Sequence, residues 1–325
     1  MHFIRPALAP LLLFAAIAAC TGRTTKTSAP SPNDGSALPP GVEAISLLGD
    51  TLRTFPLSDA ARKTYERQLA QARRASERAP ENVDSIISLG RRIAYLGRLR
   101  EAIDVYSRGI SLYPKNPWLY RHRGHRYVSV RDFDRAITDL ERATTLIAGT
   151  ADEVEPDGQP NARNTPIGTL HSNVAYHLGL AYYLKGDYAH ALPVYQRDFA
   201  AATNEDRRAS VAYWLYLTLR KLGRDADATA ILRTFGPETH VIENVEYVKL
   251  LRLFKGELPA DSVFAGASSG EMSVGDATAA YGVAQWNSLA GRSAEADRIY
   301  RRLIAGGQWG SFGYIAAEAE LARSR

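Results

Sequence analysis

The chain has 325 residues, 45% of them hydrophobic and 23% charged, the balance of a globular protein with two domains or one long repeat array. A mean hydropathy of -0.25 excludes a multi-spanning membrane protein. Forty Lys and Arg against 35 Asp and Glu leave a net charge of +5, and there is a single Cys. The surplus is too small to argue for nucleic acid, and one Cys excludes an internal disulfide, paired-cysteine zinc sites and iron–sulfur clusters.

Residues 1–19 read as a secretory signal: Arg5 precedes an uncharged apolar run that ends in small residues. The run is too short for a stable membrane span. It is followed at once by the only Cys of the chain, in Ile17-Ala18-Ala19-Cys20-Thr21. That segment resembles the bacterial lipobox. The resemblance implies lipidation of Cys20, and Thr21 in place of the retaining Asp implies the periplasmic face of an outer membrane. The acylation it implies exceeds the two signals needed for stable anchoring. Residues 20–42 are rich in Ser, Thr, Pro and Gly. Such a stretch cannot bury enough surface to offset chain entropy, so a flexible tether is expected there.

From residue 43 to 325 the pattern is that of successive amphipathic helices, with no convincing strands. Residues 43–80 are expected to supply preceding helices, with Ser58 as a cap for a helix over 59–78. Self-similarity at a fixed spacing then takes over. Leu89-Gly90, Ile93 and Gly97 lead to Ala102, Tyr106, Gly109 and Pro114; Gly124 stands 34 residues after Gly90, followed by Tyr127, Ala136, Leu140 and Ala143. Gly179, Tyr182, Gly186, Ala191 and Tyr195 form a third copy, Leu219, Gly223, Ala228 and Leu232 a fourth, and Ala284, Gly291, Ala296 and Tyr300 a fifth. These residues and offsets resemble the tetratricopeptide repeat (TPR). The resemblance implies an all-α solenoid of antiparallel helix pairs, with copies near 83–116, 117–150, 172–205, 209–240 and 277–310. Small residues let the two helices of a pair approach, Gly makes the turn between them, and Tyr and Leu fill the space between pairs. Residues 242–256 read as a degenerate half-repeat, 257–274 as a loop or short helix, and 311–323 as a helix capping the exposed end.

In that family the first helix of each repeat lines a concave groove. Here this selects Arg91 and Tyr95 in the first copy, Trp118, Arg121, His122 and His125 in the second, and Asn173, Tyr176 and His177 in the third. Cationic and aromatic groups thus gather on helices roughly 8–10 Å apart. Arg forks match carboxylates, so an anion or peptide-carboxylate cradle is one reading. General acid–base chemistry by His is another; a metal site is disfavoured because the surrounding Arg residues repel a cation. Internal salt bridging and capping is the plain alternative. The family's chaperone-binding carboxylate clamp is not carried over, because Ile87, Arg91 and His122 stand where it needs other residues.

The spacing breaks once, at 150–171. A long insertion without helical period is usually functional or disordered. Glu155, Asp157, Asn161 and Asn164, with three Pro, suggest a loop folded in a set way beside the Arg/His cluster. No nucleophile elbow, P-loop, HExxH or GxGxxG occurs, and no cofactor is expected. The reading from sequence is therefore a lipid-anchored envelope scaffold that binds proteins or peptides through its groove. Export argues against nucleic acid. The alternative is an enzyme or anion-binding protein built on the same cluster.

Lipidation is directly measurable. The N-terminal peptide of the mature wild-type protein should carry acyl mass at Cys20, and Cys20→Ala should leave an unprocessed or soluble exported chain. Wild-type protein found mainly in the soluble fraction without acyl mass would sink the assignment.

Overall fold

The computed structural model describes residues 38–54, 57–156, 159–161, 163–265 and 272–325. The expected signal, Cys20, the tether as far as residue 37, and Asp157 lie outside the described residues. All described residues belong to one compact unit, 32–325.

The first elements correct the sequence reading. Where preceding helices were expected, β1 (Val42–Ile45) and β2 (Thr51–Arg53) form an antiparallel hairpin. Its turn is tied by the Ser46 hydroxyl, which accepts from the Asp50 amide at 2.9 Å and the Leu48 amide at 3.2 Å. Strands this short show no usable period-2 signal against a helical background. The hairpin is held down by Glu43, whose carboxylate accepts from the Arg100 amide at 2.9 Å. Burial raises the Glu43 carboxyl above its ordinary value.

Helix α1 (Asp59–Arg78) starts at Ser58, which accepts from the Ala61 amide as a cap does. Then come α2 (Val83–Tyr95), α3 (Leu99–Leu112), α4 (Pro117–Ser129), α5 (Phe133–Ile147), α6 (Leu170–Lys185), α7 (Tyr188–Ala201), α8 (Glu205–Lys221) and α9 (Asp225–Leu232). They are followed by α10 (Val245–Lys255), α11 (Ala260–Val263), α12 (Val274–Leu289), α13 (Ser293–Ala305) and α14 (Phe312–Arg323). Consecutive helices joined by short turns pack on each other, as in α2/α3, α4/α5, α6/α7 and α12/α13. The fold is an all-α, TPR-type solenoid of antiparallel helix pairs. Asn82, Asn116, Thr169, Asn204 and Ser273 start the first helices of pairs by accepting first-turn amides. Within a pair the approach is set by a missing side chain: a Cβ on Gly179 would sit 2.6 Å from the Tyr195 ring. Burying a ring like that of Tyr195 is worth about 1.5–3 kcal/mol, available only because the helices come this close.

The turn of the first pair uses Gly97 at φ 78°. At the same register in the second pair stands Arg131, a non-glycine residue at φ 64°, a conformation that costs about 1–2 kcal/mol for an L-residue. Its side chain is buried against Glu318 of α14, with Nη2 donating to Oε1 at 2.7 Å and Nε to Oε2 at 2.9 Å. The Trp309 carbonyl oxygen accepts a further bond at 2.9 Å, and the Leu47 amide donates to Glu318 at 3.4 Å.

That pair shows where α14 lies. It was expected to cap an exposed end. It instead packs against α12 and α13, touches α6, and buries Ala316, Ala317 and Ala319. Its Phe312 ring meets His125, Tyr176 and His177, all groove positions. Ala-rich composition suits close approach on any face, and here it lets the helix enter the inner side of the solenoid.

Removing one member of a fully buried ion pair leaves an uncompensated charge and typically costs about 3–5 kcal/mol, whereas replacing both with apolar groups is often neutral. Glu318→Leu should therefore lower stability by about that amount, and Arg131→Met with Glu318→Leu should recover most of it. Urea denaturation of the three proteins measures both. Equal stability of Glu318→Leu and wild type would show that the pair does not fasten α14.

Candidate functional site

The insertion between α5 and α6 does not hang free. Its start and end pair with each other: the Glu155 amide donates to the Gly168 carbonyl oxygen at 3.0 Å, and the Leu170 amide to the Glu153 carbonyl oxygen at 2.8 Å. The Glu155 side chain then turns inward and is buried. One oxygen lies 3.0 Å from Arg121 Nε and accepts from Asn173 Nδ2 at 2.8 Å. The next residue offers its carbonyl oxygen to Arg91, with Nη2 of Arg91 at 2.8 Å from Pro156 O. Farther along, Asn161 accepts from the amides of Arg163 and Thr165. Its side-chain amide donates to Glu243. Asn164 takes a left-handed conformation at φ 49°, with its amide bonded to Asn161 O. The loop thus runs from α2 and α4 to the segment before α10.

The sequence-selected residues divide into groups. Arg91, Arg121, Asn173, Tyr176, His177 and Glu155 line a cavity of 460 Å³ beneath the loop. Trp118 and His122 line a neighbouring cavity of 460 Å³, which shares Arg91, Glu155 and Pro156 with the first. Trp118 also packs with Tyr120 on a small core of Ala143, Ile147, Leu170 and Val174. Tyr95 and His125 face a third cavity of 280 Å³, and the Tyr95 ring lies tilted against that of Tyr65, with centroids 5.8 Å apart. Asn161 and Asn164 shape the loop. Arg123 turns to the packing side and forks onto Asp139 at 2.7 and 2.8 Å.

Several residues that line the first of these cavities were missed, among them Arg207 and Ser210 on α8, Glu243 before α10, Tyr247 on α10 and Phe312 on α14. The helix-starting Asn204 was the available signal, since α8 begins at Glu205, ahead of where the repeat spacing places it. Glu243 is set by Asp206, whose carboxylate accepts from the amides of Ile242 at 2.8 Å, Glu243 at 2.8 Å and Asn244 at 2.9 Å. No periodicity reports a carboxylate that folds a connector 36 residues away.

The imidazoles of His122, His125 and His177 are pushed toward the neutral form. Burial, then the neighbouring guanidinium of Arg121, holds His122 and His177 well below the usual His range. Burial and Arg126 do the same for His125. His177 Nδ1 lies 2.6 Å from the Asn173 carbonyl oxygen and must donate, which leaves Nε2 as the basic nitrogen. His122 Nδ1 lies 3.1 Å from Arg121 Nη1 and must accept. Its Nε2 proton then points to no hydrogen-bond partner, with Glu155 Oε1 at 3.9 Å. Groups held in this way do not deliver protons at neutral pH; they form a neutral polar wall beside fixed cations.

No family model matches the chain, and no curated protein does. Among solved structures, a tetratricopeptide repeat protein from Parabacteroides merdae superposes with a TM-score of 0.48 at 15% identity, covering 76% of this chain and 89% of its own. YrrB, described as a TPR protein with an unusual peptide-binding site, gives 0.41 at 15% identity over 73% of this chain and 92% of its own. MamA gives 0.42 at 16% identity over 62% and 98%. At these identities and scores, the architecture rests on the helix pairs of this chain.

The cluster makes stability depend on pH. Imidazoles that are neutral in the fold take up protons on unfolding once the pH drops below the unfolded value of about 6.5. Their contribution is complete above that pH and is lost as the pH falls through and below it. Each such proton steepens the loss by about 1.4 kcal/mol per pH unit. Asp198 acts oppositely: burial pushes its carboxyl up to about 6 against the lowering pull of Arg207. Its contribution is full below the ordinary Asp range and is lost as the pH rises through about 6. Glu43, Asp132 and Asp139, also raised by burial, act in the same sense as Asp198, so the imidazole part is isolated by comparing variants in urea denaturation from pH 7.5 to 5, where the imidazoles contribute a fall in stability on acidification. His122→Phe with His177→Phe should flatten that fall. An unchanged slope in the double variant would mean that these rings are protonated in the fold.

Proposed function

We propose that the protein is a lipid-anchored envelope protein that binds a protein or peptide partner on the inner face of its solenoid, in the cavity beneath the 151–171 loop. The observation that carries this is the construction of the cavity. At 460 Å³ it falls within the range of about 300–1,000 Å³ typical of ligand sites. Its walls combine rings (Tyr176, Tyr247, Phe312) with fixed charges (Arg91, Arg207, Glu243), the mixture of apolar body and few placed polar groups that recognition requires. The lipobox at Cys20 supports the anchored, envelope part of the reading, and the tether expected ahead of β1 would hold the body away from the membrane.

Arg91 is the residue to test. Arg121 is a poor probe, because its loss would leave Glu155 buried without its cation. A photo-crosslinking residue at Thr278, which lines the cavity, should capture an envelope partner in intact cells. The same residue at Arg142, exposed on α5, should not. Arg91→Gln should weaken the Thr278 capture several-fold, with the melting temperature shifted by no more than one hydrogen bond allows, about 0.5–1.5 kcal/mol. Equal capture from Thr278 and Arg142 would refute the inner face as the binding surface.

A further inference from the structure

The cavity beneath the loop carries one charge of each sign that lacks an opposite partner among the described residues. Arg91 gives Nη2 to the Pro156 carbonyl oxygen, and among the described residues no carboxylate lies within ion-pair distance of it. Glu243 accepts from the neutral amide of Asn161, and among the described residues no cation lies within ion-pair distance of it. Both charges are tied to the same loop, at Pro156 and at Asn161, and both line the same volume. Unlike them, Arg121 is matched by Glu155 and Arg207 by Asp198.

A second cation stands on the same wall. Arg207, paired with Asp198 at 2.9 Å, lines the same volume as Arg91. The anionic end of a ligand therefore belongs near Arg91 and Arg207. The cationic end belongs near Glu243, with Glu246 and the faces of Tyr176 and Tyr247 also on the lining; aromatic faces attract ammonium groups.

We propose that the cavity binds a small zwitterion of the short-peptide class, with its free carboxylate held by Arg91 and Arg207 and its free ammonium by Glu243. This rests on the reading that the cavity is the binding surface, and it narrows that reading to ligands with both termini free. Cutting down either charge on the ligand should then cost as much as removing the matching charge on the protein, and the two losses should not add.

The experiment is isothermal titration of the full-length protein with trialanine and alanyl-phenylalanyl-alanine, each free, N-acetylated and C-amidated. Either free peptide should bind, and blocking either end should weaken it at least about tenfold, or 1.4 kcal/mol. In Arg91→Gln amidation should cost several-fold less than in wild type, because Arg207 alone still meets the carboxylate, while acetylation weakens binding as before. In Glu243→Gln the pattern should reverse. Wild-type protein that binds all three forms equally, or none of them, overturns the proposal whatever the variants do. The Thr278 crosslink separates the two readings. Capture of a protein without tripeptide binding overturns the zwitterion assignment and leaves the partner-binding reading standing. Tripeptide binding without protein capture supports the zwitterion site and confines the partner-binding reading to peptides. Neither result in hand, both fall.

Discussion

Glu155 comes from a segment with no helix of its own and ends buried among groups from α4 and α6, against Arg121 and Asn173. Without it, Arg121 and Arg91 would sit together with no countercharge, and the loop would have no inward anchor. With it, Pro156 is delivered to Arg91, and the rest of the loop is launched toward Asn161 and Glu243. A buried ion pair is weak evidence for stability, because desolvation offsets much of the attraction. Its value here is geometric: it fixes where an irregular backbone crosses a regular surface.

The helix pairs were legible because their cause is local and repeated. Gly179 opposite Tyr195 and Gly90 opposite Tyr106 are the same steric requirement met twice, and a spacing announces such a requirement. The same register picked out Arg91, Arg121, Asn173, Tyr176 and His177, which line one cavity, together with Trp118, His122, Tyr95 and His125, which do not. The hairpin at Val42–Ile45 and Thr51–Arg53 was not legible, since its strands are shorter than any period. Nor was the position of α14. Alanines state that a helix can be approached closely without stating by what, and the deciding contact, Arg131 with Glu318, joins residues 187 positions apart. The far wall of the cavity escaped likewise, because Asp206 organises Glu243 through backbone amides that any residue supplies.

The inner face is built differently from an open groove. Neutral imidazoles, a loop pinned at several points and the Phe312 ring occupy positions that an extended ligand would need in an uncovered solenoid. What is left is a bounded volume whose wall charges are placed by distant parts of the chain. Recognition in such a volume depends on where both ends of a ligand fall, whereas an open groove reads one stretch of side chains after another.

Arg131 has a consequence for anyone who edits repeats toward their average sequence. At its register the first pair has Gly97, and a glycine is what the left-handed turn wants. Consensus replacement would put glycine there and release the backbone strain, a gain that an isolated repeat would register as improved. The full chain would lose its inner rivet: Glu318 would be stranded in the interior and α14 unfastened from the turn it is bound to. The position scores as an error in the repeat and as a fixture in the molecule, so the repeat is the wrong unit in which to judge it.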